Sequence, residues 1–398
     1  MSLSSLPPEL LLSVFRAYAP EVDRTWLASV TTLCKTLKPI VESVLYREVT
    51  IISGEGFRTF CHSVASDSSR SAAVRKLALV FHLNDTSPVD IIPRSTFLSL
   101  INLDWLKLDM DDPSYLASLV DAPFRLRSLL VMTWHYHSSF EDVIASQHSL
   151  KTLTIDFGQD IEHVQASRLD IPCNVRALLV ISCDFSAFCS RFRLSNLTHL
   201  SLLIASHDDI QAFSMLAETL VSIKLSQRIE DTCALWSCIW PSSVLRHTRW
   251  PKLKYLEVRH GWWRYKEYSE ATVASGLRER CPELRRLVWD PDCSPICRCN
   301  LHRPLDYSQG SRSGSLLSEY ATMLLDRLPT LDLLFVVRHA GEPVWGERSG
   351  WVCSNVFKHT SEGSVVATTC EVLYSDNEWA SITDDEPQSG EMRPARYT

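Results

Sequence analysis

One spacing recurs along most of the chain: an apolar residue, two variable residues, an apolar residue, one variable residue and a further apolar residue. It reads VRKLAL from Val74, LDWLKL from Leu103, LRSLLV from Leu126, LKTLTI from Leu150 and VRALLV from Val175. It continues as LTHLSL from Leu197, LVSIKL from Leu220, LKYLEV from Leu253, LRRLVW from Leu284 and a weaker LDLLFV from Leu331. Successive starts lie 22 to 33 residues apart, except the last, which follows after 47. Leucine is common, so one match means little, but nine in register make a repeat with a solenoid-like period. The alternation within each motif predicts a short β-strand whose leucines point inward and whose variable residues point out. Between motifs, apolar residues fall at helical spacing: Phe57, Phe60 and Val64; Ala274, Leu277 and Cys281; Leu316, Leu317, Tyr320, Leu324 and Leu328. One strand and one helix cannot bury their own apolar face, whereas stacked copies can. The pattern therefore predicts an α/β chain, an irregular solenoid with a parallel inner sheet and outer helices.

The ends of this array have other patterns. Leu10, Leu11, Val14 and Phe15 predict a helix with one apolar face, capped by Ser4 or Ser5, with Pro7 and Pro8 in its first turn. A second helix begins near Asp23 or Thr25 and runs through Trp26, Leu27, Val30, Leu33, Cys34 and Leu37, ending before Pro39. A third carries Ile40, Val41, Val44, Leu45 and Tyr46. Three short helices are too small for a secure core and want a partner surface or a neighbouring domain over their apolar faces. Towards the other end, Pro291, Pro295, Pro304, Gly310 and Gly314 mark a long loop over 291–314. Trp345, Trp351, Val352, Val356, Phe357, Val365 and Val366 predict a short β cap that closes the open sheet edge. Beyond Asn377 the chain is polar and acidic, with Asp384, Asp385 and Glu386, and reads as disordered. The expected organisation is a helical module at 1–52, the solenoid at 53–340, a cap at 341–376 and a tail at 377–398.

Composition narrows the function more than the fold. The 398 residues carry a net charge of −7 and no Lys/Arg run of five, which argues against nucleic acid and an anionic membrane as partners. No apolar run is long enough to span a bilayer. The opening residues lack a basic segment and a small-residue cleavage site, and 13 cysteines sit singly in apolar segments. Reduced thiols in the cytoplasm or nucleus are the expectation. No GxSxG, HExxH, P-loop or GxGxxG motif is present, so no catalytic residue and no cofactor is expected. Cys293, Cys297, Cys299 and His302 lie within ten residues, but C-x3-C-x-C-x2-H matches no common zinc spacing, and no metal site is expected there. Asp109, Asp111 and Asp112 read as a solvated strand end and helix cap.

The opening module resembles an F-box on Leu6-Pro7 and Glu9-Leu10-Leu11, Cys34-Lys35, and Leu45-Tyr46-Arg47 in that order. With the repeats, the chain is similar to the F-box proteins of mushroom-forming fungi that carry degenerate leucine-rich repeats. That resemblance covers about an eighth of the chain at motif level, and Leu37 stands where the family often has Trp. It implies that Leu6, Pro7, Leu10, Val14, Leu33 and Leu37 meet a Skp-family adaptor, and through it a cullin–RING ubiquitin ligase. The chain would then choose a target protein for ubiquitin-dependent degradation. The alternative is a leucine-rich scaffold that recruits no ligase.

On a solenoid the variable strand positions form the binding face. They include Lys76, Trp105, Lys107 and Asp109 early, Leu130, Met132, Thr152, Thr154, Ala177 and Leu179 in the middle, and Tyr255, Glu257, Arg259, Arg286 and Asp290 late. Loops add His135-Tyr136-His137 and Trp262-Trp263-Arg264-Tyr265. Aromatic and Arg residues are the usual anchors of protein recognition, which places the expected target site at Tyr255, Arg259, Trp262, Trp263 and Arg286.

Overall fold

The structure, a computed structural model, describes residues 7–18, 24–33, 35, 37–80, 94–110, 113–133, 135–157, 171–181, 185–204, 211, 212, 214–227, 248–258, 270–289, 321–339, 351–359 and 365–370. Two compact units emerge, and the opening helices belong to the first. The first comprises 1–175, 181–183 and 190–194; the second comprises 176–180, 184–189 and 195–398.

In the first unit, α1 (Pro8–Tyr18), α2 (Arg24–Leu33) and α3 (Lys38–Leu45) lead directly into strand β1 (Glu48–Ile51). The order then alternates: α4 (Gly54–Ser66), α5 (Ser68–Ala73), β2 (Lys76–Val80), α6 (Arg94–Ser99), β3 (Trp105–Asp109), a 3-10 turn (Pro113–Leu119), β4 (Ser128–Thr133), α7 (Ser139–Ser146) and β5 (Thr152–Phe157). β1 to β5 pair in chain order, each parallel to the next. A two-strand ladder joins β6 (Ile171–Pro172) to β8 (Phe192–Arg193). The second unit holds β7 (Ala177–Val180), β9 (His199–Ile204), β10 (Ser222–Gln227), β11 (Tyr255–Val258), β12 (Arg286–Trp289) and β13 (Leu333–His339), again parallel and in chain order. Antiparallel β14 (Trp351–His359) and β15 (Val365–Cys370) follow β13. Helix α8 (Phe185–Arg191) precedes β8, and α9 (Glu270–Arg280) precedes β12. The chain is thus α/β, with eleven strands in parallel pairing and helices between them.

Every one of the ten motifs forms a strand that begins at its third residue. The first apolar residue lies just before the strand and is buried in every copy, from Val74 to Leu331. The fourth residues stand in register, as Leu77, Leu106, Leu129 and Leu153 in the first unit. In the second they are Leu178, Leu200, Ile223, Leu256, Leu287 and Leu334. All ten are buried. Such ladders remove whole side chains from water, each worth about 1.5–3 kcal/mol.

The turn into each strand is also repeated. Within each unit, the carbonyl of the motif's second residue accepts two N–H bonds from the second and third residues of the next motif. Arg75 accepts from Asp104 and Trp105, Asp104 from Arg127 and Ser128, and Lys254 from Arg285 and Arg286, all at 2.7–3.1 Å. Buried Gln147 adds a side-chain link, its Oε1 accepting the Leu126 N–H at 2.9 Å. Helix faces agree with the spacing: Phe57, Phe60 and Val64 on α4 and Ala274 and Leu277 on α9 are buried, as is Cys281 just beyond it.

Candidate functional site

The opening module is built around α3. Leu11 and Phe15 from α1, Leu27 from α2, and Leu37, Val41 and Val44 form one buried cluster. Pro7 starts α1 by offering its carbonyl to the N–H groups of Leu10 and Leu11 at 3.0 and 3.1 Å. The apolar arc of α1 is wider than the face that α3 covers. Leu11 and Phe15 turn inward, whereas Leu10 is 53% exposed and Val14, one turn on, is 38% exposed. Trp26 on α2 is 51% exposed. The single apolar face expected for α1 is therefore split between a core edge and an uncovered edge.

This split sorts the residues expected to meet an adaptor. Pro7, Leu10 and Val14 are exposed. Leu37 is 8% exposed and belongs to the module's own core, so its expected place on the contact face is corrected: it precedes α3 and packs inward. Leu33 is the last residue of α2, and Leu6 and Cys34 lie outside the described residues.

On its other side α3 is fastened to the helices that follow. Glu42 Oε1 lies 2.8 Å from Arg70 Nη2, and Arg70 Nη1 donates to Ser63 Oγ at 3.0 Å. Tyr46 Oη and Ser63 Oγ are 2.5 Å apart, and the Arg70 guanidinium sits 5.6 Å from the Tyr46 ring centroid. Asp67 caps α5 through the Ser69 N–H, and its Oδ2 lies 3.6 Å from Arg70 Nε. The hydrogen bond to Glu42 raises the Arg70 pKa above its ordinary value. No sequence signal marks this group, because Glu42 and Arg70 are 28 positions apart and each reads as an ordinary helix-surface charge.

The variable strand positions make a second candidate surface, and the two units differ there. In the first, Trp105, Lys107, Asp109, Leu130, Met132, Thr152 and Asp156 are half-buried. Glu48 and Lys76, directly opposite each other on β1 and β2, are 2.8 Å apart, and Lys107 Nζ is 3.4 Å from Asp109 Oδ2. In the second, more of the corresponding positions are closed off, while Leu179, Tyr255 and Arg286 stay half-buried. His199, Ser201, Ser222 and Val288 are buried, Lys224 is 5% exposed and Glu257 1%. Lys224 and Glu257 are cross-strand neighbours, and the Tyr255 hydroxyl donates to Glu257 Oε2 at 2.6 Å.

Of the expected target site, Tyr255 and Arg286 are brought side by side on β11 and β12 and are half-buried. Arg259, Trp262 and Trp263 lie outside the described residues, as do Asp290, Arg264 and Tyr265. Glu257 was expected on an open face; it is instead enclosed, and so are Ala177 and Thr154. Charge alone could not reveal this, because a sheet face reads the same in sequence whether water or protein covers it.

The loop residues His135 and His137 part company with Tyr136. His135 is exposed, and His137 Nδ1 accepts the Ser139 N–H at 3.2 Å at the start of α7. Tyr136 is buried against Phe140 and Phe157 and donates to Glu141 Oε1 at 2.7 Å. Glu141 is in turn 3.3 Å from Arg191 Nη1, whose guanidinium lies 5.0 Å from the Tyr136 ring centroid. This is a structural knot rather than a contact loop. Cys293, Cys297, Cys299 and His302 fall outside the described residues, within which no group of three or more His, Cys, Asp or Glu is arranged to hold a metal. No helix among the described residues is long and apolar enough to cross a membrane.

No protein-family model matches the chain. No curated protein matches its sequence either.

Proposed function

We propose that the chain is a substrate receptor of a Skp–cullin–F-box ubiquitin ligase, with leucine-rich repeats as its recognition platform. The observation that carries the reading is the helical module, which leaves Pro7, Leu10, Val14 and Trp26 uncovered beside a complete small core. Large apolar side chains uncovered on a small helical unit mark a surface for another protein. The order of motifs in residues 6–51 supports a Skp-family adaptor as that protein. The parallel strands of the first unit support the second half of the reading: half-buried Trp105, Leu130 and Met132 on their variable face suit the holding of a target. The receptor needs no chemistry of its own. It raises the effective concentration of a target lysine near a ubiquitin-carrying enzyme.

The test is co-purification of the full chain with a Skp-family adaptor. The wild type binds, and Leu10→Asp combined with Pro7→Ala abolishes binding while leaving the thermal transition in place. A wild type that fails to bind, or a double variant that binds equally well, sinks the reading and leaves a leucine-rich scaffold without a ligase.

A further inference from the structure

Behind its exposed edge the helical module is tied to the helices that follow, and one side chain takes part in three of the four polar contacts of that tie. Both α1 and α2 pack on α3 through Leu11, Phe15, Leu27, Val41 and Val44. A unit of this size has little stability of its own. The placement of Leu10, Val14 and Trp26 therefore depends on what fixes α3. Its C-terminal end is fixed by the chain, since Arg47 immediately precedes β1 and its carbonyl accepts the N–H groups of Arg75 and Lys76, both at 2.9 Å. Its flank is fixed by the ring of Glu42, Arg70, Ser63 and Tyr46. Arg70 touches each of the other three, and its side chain is largely withdrawn from water, as is that of Glu42.

We propose that Arg70 is a positioning residue for the docking edge of the helical module. Arg70 acts through α3: its fork spans Glu42 on α3 and Ser63 on α4, and its plane lies over Tyr46 at the end of α3. A planar fork does this where a lysine cannot, because one ammonium cannot hold both oxygens and cover the ring. It follows that the functional docking unit does not end with β1. It includes α4 and α5, up to Ala73. The proposal rests on the reading that this module docks an adaptor, but the state of α3 can be measured without one.

The experiment uses the full chain in four forms: wild type, Arg70→Ala, Arg70→Lys, and the exchanged pair Glu42→Arg with Arg70→Glu. Amide hydrogen exchange reports local opening. Arg70→Ala loses about tenfold or more of its protection in α1, α2 and α3, with β3 to β5 unchanged. Affinity for a purified Skp-family adaptor falls by a similar factor; Arg70→Lys recovers part of the loss, and the exchanged pair, which restores the ion pair but not the cover over Tyr46, recovers no more than Arg70→Lys. Unchanged protection and unchanged adaptor affinity in Arg70→Ala overturn the proposal. So does equal loss of protection in β3 to β5, which would make Arg70 a general stabiliser. A wild type that binds no adaptor refutes the proposed function, while the exchange data still decide the role of Arg70.

Discussion

Replacing Arg191 by Ala removes the partner of an enclosed carboxylate. Glu141 is 2% exposed at its side chain and Arg191 5%, so neither charge regains water when the other is lost. Glu141 keeps its hydrogen bond from the Tyr136 hydroxyl, while the guanidinium that faced both Glu141 and the Tyr136 ring disappears. Breaking a buried pair from one side costs about 3–5 kcal/mol. For a unit of this size that lowers the melting temperature by roughly 6–20 °C, taking 2–4 °C per kcal/mol. Urea unfolding followed by tryptophan fluorescence and by far-ultraviolet circular dichroism measures the loss. A companion variant, Glu141→Leu with Arg191→Met, sharpens it. Removing both charges together costs less than leaving one unpaired, although the Tyr136 hydroxyl then loses its Glu141 acceptor. A loss below about 1 kcal/mol for Arg191→Ala would refute the enclosure, since that is what a solvent-exposed ion pair contributes. A double variant as damaged as the single one would show that packing, not charge, holds the site.

Other outcomes follow from burial. Leu129→Ala, in the middle of the first unit's ladder between Leu106 and Leu153, costs about 2–5 kcal/mol by chemical denaturation. Phe15→Ala unfolds the helical module at lower temperature, whereas Leu10→Ala leaves its melting unchanged, because only Phe15 is in the core. Burial pushes the Cys173 thiol up to about 11 and the Cys281 thiol up to about 12, from an ordinary 9.0. Both therefore resist iodoacetamide at pH 8 until the protein is denatured, as mass spectrometry of the alkylated chain will show. The same shifts favour the folded state below pH 9.0, and that contribution fades as pH rises through about 11 for Cys173 and about 12 for Cys281. Denaturation midpoints between pH 8 and 11 measure the decline, and Cys281→Ala makes it shallower.

Most of the strand architecture was legible because leucine spacing encodes both a period and a side. Even the weak LDLLFV copy forms β13, in register with β12. Three opening helices were legible from their prolines and apolar spacing, but α2 ends at Leu33 rather than running through Leu37, Pro39 stands in the first turn of α3, and the arc of α1 did not say which half is covered. What could not be read is pairing over distance. Glu141 and Arg191 are 50 positions apart, and nothing in either neighbourhood distinguishes them from surface charges. The same holds for Lys224 and Glu257, which occupy the outward fifth position of their motifs and are nonetheless buried. Outward and wet are separate properties in a parallel sheet, and only the three-dimensional arrangement tells them apart.

The doubled acceptor at each turn has an evolutionary corollary. Within each unit, successive motif strands are tied through the same carbonyl and the same two N–H groups, whether the motif starts lie 23 positions apart, as from Leu103 to Leu126, or 31, as from Leu253 to Leu284. Connecting segments can thus lengthen or shorten without disturbing strand pairing. Excising a whole segment, such as 103–125, would offer Arg127 and Ser128 to the Arg75 carbonyl in place of Asp104 and Trp105. Such a chain can change in whole-repeat quanta, gaining strands by duplication while the opening helices keep their geometry.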